Sequence, residues 1–199
     1  VAGTLPDGGG RGLEQQPGVG EEPPLVCLGI DDEDMPRMVQ ELFFRMTLNA
    51  DMERSFVLGV TVEEQLAFVD VALGRRDPQS LVRSREANAD DKSTSSASST
   101  PDAPHISTFV EADVALLDEN INLDMTPEPL TGSVLAGRLA AEGFRGVTCI
   151  LTGASLDEMD SLRQKPGVDL VFAKGSPLSA IAESIRRLHR TKCVLSHAA

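Results

Sequence analysis

From residue 25 onward the chain alternates between short apolar runs and longer stretches whose apolar residues recur every three or four positions. The runs are LVCLGI (25–30), SFVLGV (55–60), DVALLD (113–118), GVTCILT (146–152) and VDLVFAK (168–174). Unbroken apolar runs of this length read as strands covered on both faces, as in a parallel sheet. Met35, Met38, Val39, Leu42, Phe43 and Met46 follow the first run at helical spacing and predict a helix. After the second run, Thr61 and Glu64 form a capping-box pattern. Leu66, Val69 and Leu73 supply the inward stripe of that helix, and Gly74 ends it. A third helix passes through Val134, Leu135 and Leu139 to Gly143. A fourth opens on Ser155 and Glu158 and turns Met159 and Leu162 inward. The last begins at Ser176, with Pro177 in its first turn, and carries Leu178, Ile181, Ile185 and Leu188; proline fits there because the first helical N–H has no partner to lose.

Two segments break this rhythm. Residues 1–24 are rich in Gly, Pro and Glu without apolar periodicity, which predicts a flexible linker. Residues 75–105 are polar and include DDKSTSSASST. Connections in compact α/β units run about two to six residues, so this stretch is expected to be a disordered insertion. What remains is β-α five times over, a single domain at 25–190 followed by a short tail, 191–199. Alternating strands and helices imply a doubly wound parallel sheet with helices on both faces. Five units fit the flavodoxin-like strand order 2-1-3-4-5. A Rossmann dinucleotide-binding sheet is the competing arrangement, but the first β-α turn lacks GxGxxG.

Composition narrows the function classes. In 199 residues, 31 Asp and Glu face 18 Lys and Arg, for a formal net charge of −13. Phosphate contacts need clustered cations, so nucleic acid is excluded as a partner. No apolar run approaches the ~20 residues of a membrane helix, and no signal peptide opens the chain; a cytoplasmic location is expected. Cys27, Cys149 and Cys193 lack CxxC spacing, which argues against a disulfide framework or a zinc site. His105, His189 and His197 are scattered and read as surface residues.

In a doubly wound sheet, ligands bind beyond the carboxyl ends of the strands. The first strand ends in Asp31-Asp32-Glu33-Asp34, the third in Asp118, the fourth in Thr152 and the fifth at Lys174. A single polar strand end means little, whereas four on one edge form a pattern. Carboxylates brought together there repel by about 1 kcal/mol per pair at 4 Å in water, and by roughly 4 at an effective dielectric of 20. Such a cluster either raises its pKa values or recruits a cation. An open set of oxygen ligands suits Mg²⁺, completed by substrate phosphate oxygens. With an ammonium and a hydroxyl added, this chemistry is phosphoryl transfer, and Asp118 is the natural nucleophile.

The motifs IDDED, LLDEN, ILTGAS and VFAKG, in this order on five β-α units, resemble a response-regulator receiver domain of two-component phosphorelays across about residues 25–190. The resemblance implies Asp118 as phosphoacceptor, with Asp32 as direct Mg²⁺ ligand and Asp31 as its acidic neighbour. It further implies the backbone carbonyl of Asn120 as a metal ligand, Thr152 as the switch hydroxyl and Lys174 as the lysine that pairs with the phosphoryl group. Family members take phosphate from a phosphohistidine on a histidine kinase or phosphotransfer domain, and many hydrolyse it slowly. With a flexible leader and no output segment after the last helix, the arrangement is similar to the receiver of a hybrid histidine kinase or a stand-alone receiver. The chain departs from the family in three places. Gly175 stands where proline usually follows the lysine, and Val171 stands at the usual aromatic switch position. The loop after Asp118 is also long.

Other readings stay open at this point. A haloacid-dehalogenase-type phosphohydrolase also uses a strand-end aspartate, but wants a second Asp two residues later, where this chain has Asn120. A degenerate receiver would bind partners without being phosphorylated. A flavodoxin is disfavoured because the acidic first loop would repel a cofactor phosphate.

Overall fold

The computed structural model describes residues 23–90, 109–121 and 130–196. Five strands form one all-parallel sheet: β1 Cys27–Ile30, β2 Phe56–Leu58, β3 Val114–Asp118, β4 Val147–Thr152 and β5 Leu170–Ala173, in the order β2-β1-β3-β4-β5. The helices are α1 Asp34–Met46, α2 Val62–Ala72, α3 Pro78–Asp90, α4 Gly132–Ala141, α5 Leu156–Arg163 and α6 Leu178–Ser196. The sheet order and the two-sided helix cover are those expected from the sequence.

Alternation along the strands builds two cores. Leu28, Ile30, Leu58, Leu117, Ile150 and Val171 face α2, α4 and α5, together with Phe68, Leu135, Leu139 and Met159. Cys27, Val57, Leu116, Val147 and Cys149 face α1 and α6, against Phe43, Phe44, Ile181 and Ile185. Each fully buried Leu, Ile or Phe contributes roughly 1.5–3 kcal/mol of transfer free energy, and the two layers clamp β1 and β3 from both sides. Cys27 and Cys149 are completely buried, and burial pushes both thiols far above their ordinary pKa; they pack as small apolar residues.

Several expectations need correction. Residues Pro78–Asp90 of the expected disordered insertion form α3, and Leu81 anchors that helix in the core; residues 91–105 lie outside the described set. The expected tail is helical as far as Ser196, because α6 continues. The leader 1–22 also lies outside the described residues. On α1 the apolar stripe is turned away from the sheet. Arg37, Gln40, Phe43 and Phe44 are buried, while Met35, Met38, Val39, Leu42 and Met46 are exposed. The cause is local. Arg37 and Gln40 donate to the Asp31 and Ile30 carbonyls at the end of β1, which fixes the rotation of the helix with both phenylalanines beneath it. On α2, Leu66 is exposed and Phe68 takes the core position instead. Among the described residues, no helix is long and apolar enough to cross a membrane.

Candidate phosphoacceptor site

Parallel pairing carries every strand's carboxyl end to the same edge. Ile30 pairs with Leu117, Asp118 with Leu151, and Thr152 with Ala173, so the residues that follow these strands share one rim. Asp31 is 1% exposed and Asp118 3% exposed, whereas Asp32 is half-buried. One carboxylate oxygen from each of the three lies within 4.8 Å of the others. Lys174 reaches over from β5, its Nζ 3.2 Å from Asp118 Oδ1 and 3.3 Å from Asp31 Oδ2. Its backbone N–H donates to the Thr152 carbonyl at 2.8 Å, tying the lysine loop to the end of β4. Thr152 is fully buried, and its Oγ1 accepts the Ala154 N–H at 3.1 Å. Asn120 lies two residues past Asp118 and is exposed.

Three carboxylates against one ammonium leave the site strongly negative. Burial, followed by the Asp31 charge, pushes Asp118 up to about 6 against the pull of Lys174. Burial pulls Lys174 down, but the Asp118 and Asp31 carboxylates outweigh it and hold the ammonium above its ordinary range. Asp118 Oδ1 is buried and accepts no hydrogen bond, although the lysine ammonium is near it. A buried carboxylate oxygen with an open lone pair, beside two more carboxylates, fits a hard divalent cation. The donor set is all oxygen and suits Mg²⁺.

The backbone around these side chains is braced by residues that sequence reading missed. Asp31 Oδ1 accepts the Glu33 N–H at 3.0 Å, and the Asp31 N–H donates to Leu58 O at 3.2 Å. Arg37 Nη1 donates to Asp31 O at 3.0 Å while its other nitrogen pairs with Asp34. An arginine one turn into a helix carries no pattern that predicts this contact. Gly132 opens α4 against the end of β3. A Cβ there would sit 2.4 Å from the Asp118 carbonyl oxygen, so only glycine lets the helix start so close to Asp118.

The long loop after Asp118 has a closed neck. Ile121 and Leu130, both buried, form a bridge, and the Glu119 carboxylate accepts from both Ser133 N and Ser133 Oγ at 2.8 and 2.9 Å. Residues 122–129 lie outside the described set. The expected capping box of α2 forms only in part: Thr61 Oγ1 accepts the Glu64 N–H, but the Glu64 carboxylate turns to the Gly59 and Val60 N–H groups instead.

No protein-family model matches the chain, and no curated protein matches its sequence. Solved structures do match. The signal receiver domain of a modulated diguanylate cyclase from Desulfovibrio desulfuricans G20 aligns over 86% of this chain and 98% of its own, with 14% identity and a TM-score of 0.51. The chain has the fold of response-regulator receiver domains. The signal receiver domain of an HD domain-containing protein from Pseudomonas fluorescens Pf-5 aligns over 92% of this chain and 99% of its own, at 9% identity and a TM-score of 0.51. That of a putative Luxo repressor protein from Vibrio parahaemolyticus covers 88% and 97%, at 12% identity and a TM-score of 0.50. On this receiver fold the acidic cluster, Thr152 and Lys174 occupy the carboxyl-end rim of the sheet, where doubly wound sheets hold their ligands.

Proposed function

We propose that the chain is a phosphoacceptor receiver module that takes a phosphoryl group from a phosphohistidine onto Asp118. The observation that carries this reading is the buried Asp118 carboxylate, ion-paired with Lys174 and clustered with the carboxylates of Asp31 and Asp32. An Asp118 oxygen attacks phosphorus, the bond from phosphorus to the donor nitrogen breaks, and the donor imidazole leaves with that electron pair. Lys174 holds a positive charge beside the oxygen that attacks and stays beside the phosphate it forms. Thr152 then turns its hydroxyl to donate to a phosphoryl oxygen, exchanging its bond to Ala154 for one at the phosphate. Asp31 and Asp32, with Asp118 and the Asn120 carbonyl, would hold Mg²⁺. When bound, the ion supplies positive charge that offsets repulsion between the phosphoryl oxygens and the carboxylates. Phosphorylation biases the β3–α4, β4–α5 and β5–α6 loops towards a second arrangement, which is the signal.

The donor must approach across the rim where α1 begins. The exposed stripe of Met35, Met38, Val39, Leu42 and Met46 on α1 supports docking of an apolar helical face from a histidine kinase or phosphotransfer domain on that side.

The test uses acetyl phosphate with Mg²⁺ and intact-mass measurement. A labile gain of one phosphoryl group in wild type, absent in Asp118→Asn, supports the reading. No adduct at any Mg²⁺ concentration overturns it in favour of a receiver that binds partners without phosphorylation, and sustained turnover of phosphate esters points to a phosphohydrolase.

A further inference from the structure

Helix α3 stands outside the β-α alternation, yet one of its side chains reaches the support of the acidic site. Glu64, on α2, is completely buried. Its Oε2 accepts the N–H groups of Gly59 and Val60, both at 2.9 Å. Its Oε1 accepts no hydrogen bond but lies 3.6 Å from Arg85 Nη1 on α3. Among the described residues, Arg85 is the one cation within ion-pair distance of Glu64.

The Glu64-held turn is the backing of Asp31. Gly59 has φ +123°, and a Cβ on it would fall 2.2 Å from the Asp31 carbonyl oxygen. Leu58, the residue before it, accepts the Asp31 N–H. The contacts therefore run without a gap from Arg85 through Glu64 to the Gly59–Val60 turn and the Asp31 backbone. Gln65 also grips the turn, its Nε2 donating to Gly59 O at 2.7 Å, so the turn would loosen rather than collapse if Glu64 shifted. A buried carboxylate without its counter-charge is costly and moves towards water if it can. Glu64 can do so only by releasing the two amides it holds.

We propose that Arg85 is a positioning residue for the acidic site. The inserted helix neutralises Glu64, Glu64 fixes the Gly59–Val60 turn, and the turn fixes Asp31. Docking or displacement of α3 then tunes how tightly the site holds a divalent cation. This rests on the phosphoacceptor reading for its cation, but the coupling itself is a property of the metal-free chain.

Two readouts separate the possibilities. Amide exchange at Gly59 and Val60, measured in chelator, reports the turn; calorimetric Mg²⁺ titration reports the site. Arg85→Ala should speed exchange at both amides at least tenfold and weaken Mg²⁺ binding about three- to tenfold, with Arg85→Lys intermediate. Glu64→Gln needs no counter-charge, so Arg85→Ala made in that background should change neither readout. A purely structural role for Arg85 would lower the thermal midpoint while leaving Gly59 and Val60 exchange at the wild-type ratio to other α2 amides, and that result overturns the proposal. Equal effects of Arg85→Ala with and without Glu64→Gln overturn it as well. If wild type binds no Mg²⁺, the phosphoacceptor reading fails, while the exchange arm still decides whether Arg85 fixes the turn.

Discussion

Replacing Asp118 by Asn should make the metal-free protein more stable, in a pH-dependent way that the site geometry dictates. Burial and the neighbouring Asp31 raise the Asp118 pKa from an ordinary 3.8 to about 6. The gap corresponds to an upper bound of ~3 kcal/mol. The sign follows from linkage: the folded protein holds this proton more tightly than the unfolded chain does. The resulting stability is fully present below about pH 4 and is lost as pH rises through about 6. Asn keeps the neutral state at every pH. In chelator at pH 8 the variant should therefore exceed wild type by up to ~3 kcal/mol, and the advantage should shrink to about 1 kcal/mol at pH 4.5. The chain has no Trp or Tyr, so urea unfolding is best followed by far-UV circular dichroism. Added Mg²⁺ at pH 8 should reverse the order, because ligand stabilises only the protein that binds it. Parallel stability-pH profiles for the two proteins would refute the reasoning, since they would mean Asp118 carries no electrostatic strain.

Other outcomes follow from the same contacts. Gly132→Ala improves helix propensity by up to ~1 kcal/mol, yet should destabilise the protein and slow acetyl phosphate labelling, because its Cβ would meet the Asp118 carbonyl oxygen at 2.4 Å; unfolding midpoints and labelling rates check both. Phe68→Ala removes a completely buried ring from the α2–α4–α5 core and should cost about 3–5 kcal/mol, read as a lower urea midpoint. The double change Met38→Glu with Leu42→Glu touches only exposed α1 positions. It should leave stability within about 0.5 kcal/mol and acetyl phosphate labelling unchanged, while slowing transfer from a phosphohistidine protein.

The strands were legible because a doubly covered sheet needs apolar residues on both faces, so each strand appears as an unbroken run whatever packs on it. The rim chemistry was legible for a related reason: in a parallel sheet the residue after every strand lands on one edge, and order along the chain becomes proximity in space. The helices gave up less. On α1 the spacing of six large apolar residues predicts a helix correctly but says nothing about which side faces the sheet: five of them are exposed and Phe43 is buried. That choice was made by Arg37 and Gln40 bonding the Asp31 and Ile30 carbonyls at the end of β1, contacts with no signature in the order of residues. Glu64 shows the same gap. Its place three residues after Thr61 reads as a cap, but the nearby Gly59 and Val60 amides and the distant Arg85 claim its carboxylate instead. The described parts of the two long connections also pack more closely than their polar composition implies. The loop after Asp118 is drawn closed at its described ends by the buried pair Ile121 and Leu130. The polar insertion before β3 contributes Leu81 to the core and Arg85 to Glu64. Even a polar helix packed behind the site meets a buried group whose charge it can complete.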